Sequence, residues 1–172
     1  MLKFYDHAVT FVEFPDEIAL CVNITNCPCC CEGCSEPWLK EDIGEPLTEQ
    51  AIDMLITAHP GCTTFGLMGG DRDHKEIARI SDYIHKKYQM KVGFYSGADE
   101  VDQKLINFVD FYKVGRWIKP QGDESTWSSQ VCGPINFPFS NQKYFEKHDG
   151  KLIDATYKFR QTPLGRLSRY VL

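Results

Sequence analysis

The chain reads as an α/β protein built on parallel βαβ units and closed by a C-terminal β-hairpin. Three observations predict this. Between residues 17 and 114 the apolar spacing switches repeatedly between a period of two and a helical period, giving strand–helix–strand–helix–strand order. The predicted strands run into Cys27, Gly69-Gly70-Asp71 and Ser96-Gly97, so the turns collect at the carboxyl ends of parallel strands. Two short strand-like segments then flank His148-Asp149-Gly150, a hairpin turn signal.

The elements follow in order. Residues 8–14 are expected as a first strand, closed by Pro15-Asp16. Residues 17–25 alternate, with Ile18, Leu20, Val22 and Ile24 on one face and Ala19, Cys21 and Asn23 on the other. Residues 48–59 are expected as a helix, with Thr48 as N-cap and Ile52, Leu55 and Ile56 as its buried stripe. Residues 63–68 form a short apolar strand, and residues 73–88 a helix with Ile77, Ile80, Ile84 and Tyr88 on one side. Residues 91–96 give the next strand, 99–107 a third helix and 108–114 a further strand. Residues 116–140 carry Pro, Gly, Ser and Trp without periodicity and are expected as a long connection. Residues 142–147 and 152–157 are the hairpin strands. The last segment, 158–172, holds Lys158, Arg160, Arg166 and Arg169 with no acid. It can be plain solvated charge or a contact for an acidic partner surface.

Size and composition bound the function. A chain of 172 residues with 42% hydrophobic and 25% charged residues fits one soluble domain, 1–172. No apolar run reaches membrane-spanning length, and no secretory signal is visible. Eight cysteines without such a signal imply a reducing cytoplasm. The net charge of −5 lacks the basic footprint of nucleic-acid binding. Paired carboxylates, a Ser–His–Asp set and a phosphate-cradling loop are not seen.

The most informative stretch is Cys27-Pro28-Cys29-Cys30-Cys31-Glu32-Gly33-Cys34. Cys27, Cys31 and Cys34 are spaced Cys-x3-Cys-x2-Cys, offering three thiolates to one centre and no fourth. Iron–sulfur clusters usually take four cysteine thiolates, so three would leave one iron open to a small molecule. The same run also parses as two abutting CxxC pairs, Cys27/Cys30 and Cys31/Cys34. Zinc modules normally separate such pairs by a dozen residues or more, so a single zinc here would strain the loop. Redox-active or inert thiols are the remaining alternative. Cys29 and Cys30 are extra to the triplet and leave the ligand assignment open. Cys21, Cys62 and Cys132 are expected as plain buried or half-buried thiols.

Other candidates have two readings each. Gly69-Gly70 can be an ordinary turn or a place where backbone closely approaches a ligand. Asp71 can receive an ammonium or cap the helix that follows. Ser96 can touch a cofactor or simply precede Gly97. Asp110 and Lys113 lie at the end of a strand; the lysine can pair with a carboxylate or be exposed charge.

The segment Ile24-Thr25-Asn26-Cys27-x3-Cys31-Glu32-Gly33-Cys34, followed by Gly69-Gly70-Asp71 and Asn141-Gln142, resembles the radical S-adenosylmethionine superfamily. More narrowly, it resembles the activating proteins of anaerobic (class III) ribonucleotide reductases. The similarity runs over roughly residues 10–160. It implies an open partial (β/α) barrel of radical SAM type, and a 4Fe-4S cluster held by Cys27, Cys31 and Cys34. It implies S-adenosyl-L-methionine contacts at Gly33, Cys34, Ser35, Gly69, Gly70, Asp71, Ser96 and Lys113. His74 stands at the family's matching position after the Gly-Gly turn. The implied activity is reductive cleavage of the cofactor to a 5′-deoxyadenosyl radical, which makes a glycyl radical on the catalytic subunit of an anaerobic ribonucleotide reductase. The implied electron donor is of flavodoxin or ferredoxin type. Alternatives are the activase of another glycyl-radical enzyme, a small-molecule radical enzyme, and a structural zinc module.

Overall fold

A computed structural model of the chain describes residues 1–123 and 130–160. Eight strands form one open, mixed sheet: β1 (Lys3–Thr10), β2 (Ala19–Ile24), β3 (Glu45–Pro46), β4 (Thr64–Met68), β5 (Lys91–Tyr95), β6 (Phe111–Val114), β7 (Lys143–His148) and β8 (Lys151–Asp154). Their spatial order is β3-β1-β2-β4-β5-β6-β7-β8. The central strands β2, β4, β5 and β6 are parallel, and antiparallel strands extend the sheet at both edges. The expected βαβ centre and C-terminal hairpin are therefore present. The sheet is open and dominates over the helices.

Helices α1 (Glu49–Ala58) and α2 (His74–Tyr88) cover one face of the sheet. Thr48 caps α1 by accepting from the Ala51 N–H at 3.1 Å, and Ile52, Leu55 and Ile56 are buried. Ile77, Ile80 and Ile84 of α2 meet Val22, Leu67, Val92 and Phe94 from the strands beneath. Each such side chain contributes roughly 1.5–3 kcal/mol by leaving water.

The opposite face carries a smaller core of Phe14, Ala19, Cys21, Phe111, Ile135, Tyr144, Ala155 and Phe159. Gly66 and Gly93 pair across β4 and β5 on this face and leave a shallow trough. The fully buried Phe14 ring lies in it; a Cβ at Gly66 would stand 2.7 Å from Phe14 Cε2. Here the structure corrects the first expectation. The opening strand is Lys3–Thr10 rather than 8–14, because residues 11–18 form the loop that carries Phe14 over the sheet. Phe11 and Val12, which look like strand residues in sequence, are exposed on that loop.

The helix expected at 99–107 is reduced to a single 3-10 turn, Gln103–Leu105. Its start is taken by the Asp102 carboxylate, which accepts from the Lys104 N–H at 2.9 Å. So short a segment cannot repay the cost of helix nucleation. The following strand starts at Phe111, since 108–110 complete the turn: Phe108 and Val109 both donate to the Leu105 carbonyl. Sequence reading also missed β3 and the 3-10 turn Pro37–Lys40.

The chain ends its described part in α3 (Tyr157–Arg160). Lys158 binds Asp16 and Glu146, and Arg160 donates to the carbonyls of Ile135, Ser140 and Gln142. These two cations are structural ties rather than solvated charge. Arg166 and Arg169 of the basic segment lie outside the described residues. No helix among the described residues is long and apolar enough to cross a membrane.

Candidate metal and cofactor site

The cysteine loop leaves the carboxyl end of β2 through Asn26, which has a left-handed φ of 62°. The Asn26 N–H donates to the Glu41 carbonyl at 3.0 Å, and the Cys27 N–H to the Leu39 carbonyl at 2.9 Å. The 3-10 turn Pro37–Lys40 thus pins the near end of the loop, and proline near its start presets the turn. Arg72, from beyond the Gly-Gly turn, donates to Asn26 Oδ1 at 2.7 Å. The far end closes where the Cys34 N–H donates to the Cys31 carbonyl at 3.3 Å. Gly33 has a φ of 70°, and a Cβ there would meet Lys119 Cδ at 3.0 Å. Lys119 therefore lies against the cysteine loop, and the left-handed angle at Gly33 favours glycine there.

Cys27, Cys31 and Cys34 are half-buried and line one cavity of about 260 Å³. Cys30 lines it too, with Gly69 and Met68 from the end of β4 and Leu39 and Lys40 from the 3-10 turn. The cavity brings the predicted triplet against the first glycine of the Gly-Gly turn. Ser35 is exposed beside it. All eight cysteines are free thiols. Among the described residues, no three His, Cys, Asp or Glu side chains are gathered closely enough to hold a single metal ion. Burial raises the Cys27 thiol pKa, so a metal binding there must displace its proton.

Cys29 does not line this cavity, although its thiol lies beside that of Cys27. Its Sγ donates to Asp71 Oδ2 at 3.7 Å and lies against Gly97. Burial, reinforced by the Asp71 charge, pushes its pKa up to about 12, so it is a neutral thiol here.

Gly69 and Gly70 have φ of 95° and 110°, angles that disfavour any side chain. The Gly69 N–H donates to the Tyr95 carbonyl at 2.9 Å. A Cβ on Gly70 would stand 2.7 Å from Ile77 Cδ1, so this turn also lets α2 pack closely. Asp71 does not cap α2. Asp73 does so, accepting from the Glu76 N–H at 3.1 Å. The Asp71 carboxylate instead receives the Ser96 hydroxyl on Oδ1 and the Gly97 N–H on Oδ2 at 2.9 Å. Asp71 and the buried Ser96 thus join the turn after β4 to the end of β5.

Lys113 stands apart from the cysteine cavity. It shares a cross-strand row with Met68 and Tyr95, two strands from Met68 and so about 10 Å along the sheet. Its Nζ lies 4.3 Å from the Tyr95 ring centroid. Burial lowers its pKa to about 8, against the opposing charge of Glu13. Asp110 sits at the start of β6, not at its end, and is a structural anchor. It accepts from the Val92 N–H at 2.8 Å and pairs with His85 at 2.7 Å. Asn141 and Gln142 donate to the carbonyls of Arg116 and Gly115, fastening the turn after β6. Cys21 and Cys132 are buried and Cys62 is half-buried, as expected.

Several site residues escaped sequence reading. The Cys27/Cys30 parse was the available signal for Cys30. Glu13, Asp102 and Lys119 had none, because each reaches the site from a loop without periodicity. No family model, curated protein or solved structure matches the chain.

Proposed function

We propose that this protein is a radical S-adenosylmethionine activase that generates a glycyl radical on an anaerobic ribonucleotide reductase. The observation that carries the proposal is the single cavity in which Cys27, Cys31 and Cys34 meet Gly69. Three thiols of the right spacing suit a cubic cluster with one open iron. The left-handed Gly69-Gly70 backbone beside them suits close approach of an amino-acid moiety. The open sheet, with α1 and α2 on one face and Phe14, Tyr95 and Lys113 on the other, is read as the wall of a partial (β/α) barrel.

In this proposal Cys27, Cys31 and Cys34 hold the 4Fe-4S cluster. When bound, it would supply the one electron for reductive cleavage of the sulfonium cofactor to methionine and a 5′-deoxyadenosyl radical. The protein's own groups bind, orient and exclude water. Gly69 and Gly70 leave room for the methionine part. Asp71 presents a carboxylate to its ammonium, and Ser96 holds that carboxylate in place. Lys113 supplies a cation for an anionic group farther along the sheet. In this reading the reductase covers the open side of the site. A donor of flavodoxin or ferredoxin type supplies electrons.

Cys30 favours one other reading. With it the cavity is lined by four thiols, which would have to draw closer together to form a structural zinc module that docks a partner. Two measurements decide between them. Iron and sulfide in anaerobically prepared protein favour the cluster, and stoichiometric zinc favours the module. Reduced protein mixed with S-adenosylmethionine and reductase without oxygen should give a glycyl-radical signal by electron paramagnetic resonance. Its absence, with both proteins intact, rejects the activase.

A further inference from the structure

We propose that His74 is a positioning residue that holds Asp71 ready for the ammonium of an amino-acid-bearing sulfonium cofactor. The assignment rests on the activity proposed above and extends it to a residue that does not itself touch the cofactor.

His74 is the first residue of α2, where a polar side chain would ordinarily be solvated. Here its ring is largely enclosed between two carboxylates. Nδ1 lies 2.7 Å from Asp102 Oδ2, on the loop after β5. Nε2 lies 3.5 Å from Asp71 Oδ1 and makes no hydrogen bond among the described residues, although it is buried. The Phe94 ring meets the imidazole edge-on, with centroids 5.8 Å apart. Asp102 is itself fixed by the Lys104 N–H, and its own N–H donates to the Tyr112 hydroxyl at 3.3 Å. A carboxylate only accepts, so Asp102 requires the proton on Nδ1. That leaves Nε2 3.5 Å from Asp71 Oδ1, where it donates only if the ring carries a second proton.

Four described residues face the Asp71 carboxylate closely. Ser96 and His74 face Oδ1, and Gly97 and Cys29 face Oδ2. The first three come from rigid positions at strand ends and a helix start. The Cys29 thiol, at 3.7 Å, is the longest contact and comes from the cysteine loop. An ammonium arriving from the cysteine loop would displace this contact. His74 and Ser96 then keep the carboxylate from turning away from that side.

The test uses anaerobically cluster-loaded protein and equilibrium dialysis with two probes. S-adenosylmethionine carries the amino-acid group; 5′-methylthioadenosine has the nucleoside and sulfur without it. In His74→Asn, the amide keeps the Asp102 contact but is too short to reach Asp71. This variant should bind S-adenosylmethionine about tenfold more weakly and 5′-methylthioadenosine unchanged. His74→Gln, whose amide reaches toward Asp71, should recover most of the affinity. Equal binding of S-adenosylmethionine by wild type and His74→Asn overturns the assignment, as does an equal loss for both probes. If His74→Asn fails to fold, Asp102→Asn is read by the same criteria. A cluster-loaded wild type that binds no S-adenosylmethionine overturns the proposed activity, and this assignment with it.

Discussion

Phe14 lies flat across Gly93, so close that a methyl group on Gly93 would overlap its ring. The β1–β2 loop is held to the sheet by this contact and by the Tyr95 hydroxyl, which donates to the Glu13 carbonyl. The fit needs two paired glycines, and it helps close the face of the central strands opposite α1 and α2. Gly93→Ala should destabilise the protein by about 1–3 kcal/mol through overpacking. In a Phe14→Ala background, which by itself costs about 3–5 kcal/mol, the same alanine should cost much less. Urea unfolding of the two single variants and the double variant measures the coupling. Additive costs would show that the ring and the glycine do not share this space.

The cysteines should divide by where they point. Cys27→Ala, Cys31→Ala and Cys34→Ala are each expected to abolish cluster retention and cofactor cleavage. Cys29→Ala should keep much of both, since its thiol lies outside the cavity, among Cys27, Asp71 and Gly97. Cys30→Ala should also keep much activity, although Cys30 shares the cavity. Iron content and deoxyadenosine release check each variant. Loss in Cys30→Ala equal to that of the triplet would reassign the ligands.

Lys113 should weigh on stability in a pH-dependent way. Burial lowers its folded-state pKa from 10.5 to about 8. Below pH 8 the amine is charged in both states, and folding bears the full cost of burying that charge. Between about 8 and 10.5 the unfolded chain binds the extra proton, so stability rises with pH. Lys113→Met should therefore be more stable than wild type at pH 7, by on the order of 1–3 kcal/mol. The difference should shrink toward zero by about pH 10.5. Denaturant titrations at several pH values measure it; a pH-independent difference contradicts the buried amine.

Asp110 should act as a structural anchor. Its carboxylate is held below the usual range by the His85 and Val92 N–H contacts, which outweigh its burial. A depressed carboxylate stabilises the fold above its ordinary pKa of 3.8, and that stability fades as pH falls through the lower folded-state value. Asp110→Asn should cost about 1–3 kcal/mol near neutral pH and progressively less in acid. Cofactor binding should be unchanged, because Asp110 lies at the opposite end of β6 from the site. Thermal melts from pH 7 down to 3, with dialysis at pH 7, test both parts.

The amino-acid order alone was enough for the parallel core, the capped helix at Thr48, the α2 stripe and the C-terminal hairpin. These are local matters: a side chain's period of 2 or 3.6 and a cap or turn residue suffice to specify them. It also singled out the cysteine triplet and the Gly-Gly turn, since special backbone angles and thiol spacing are written in consecutive residues. Only the tertiary structure decided that Phe14 leaves its strand pattern to fill a glycine trough from Gly66 to Gly93. Only it turned Cys29 toward Asp71, set Cys30 in the cavity and placed His74 between Asp71 and Asp102. Those outcomes join residues up to 79 positions apart, from Phe14 to Gly93. Their energies come from packing and electrostatics between chain segments that meet only after the sheet has formed, and no window of neighbouring residues contains that information.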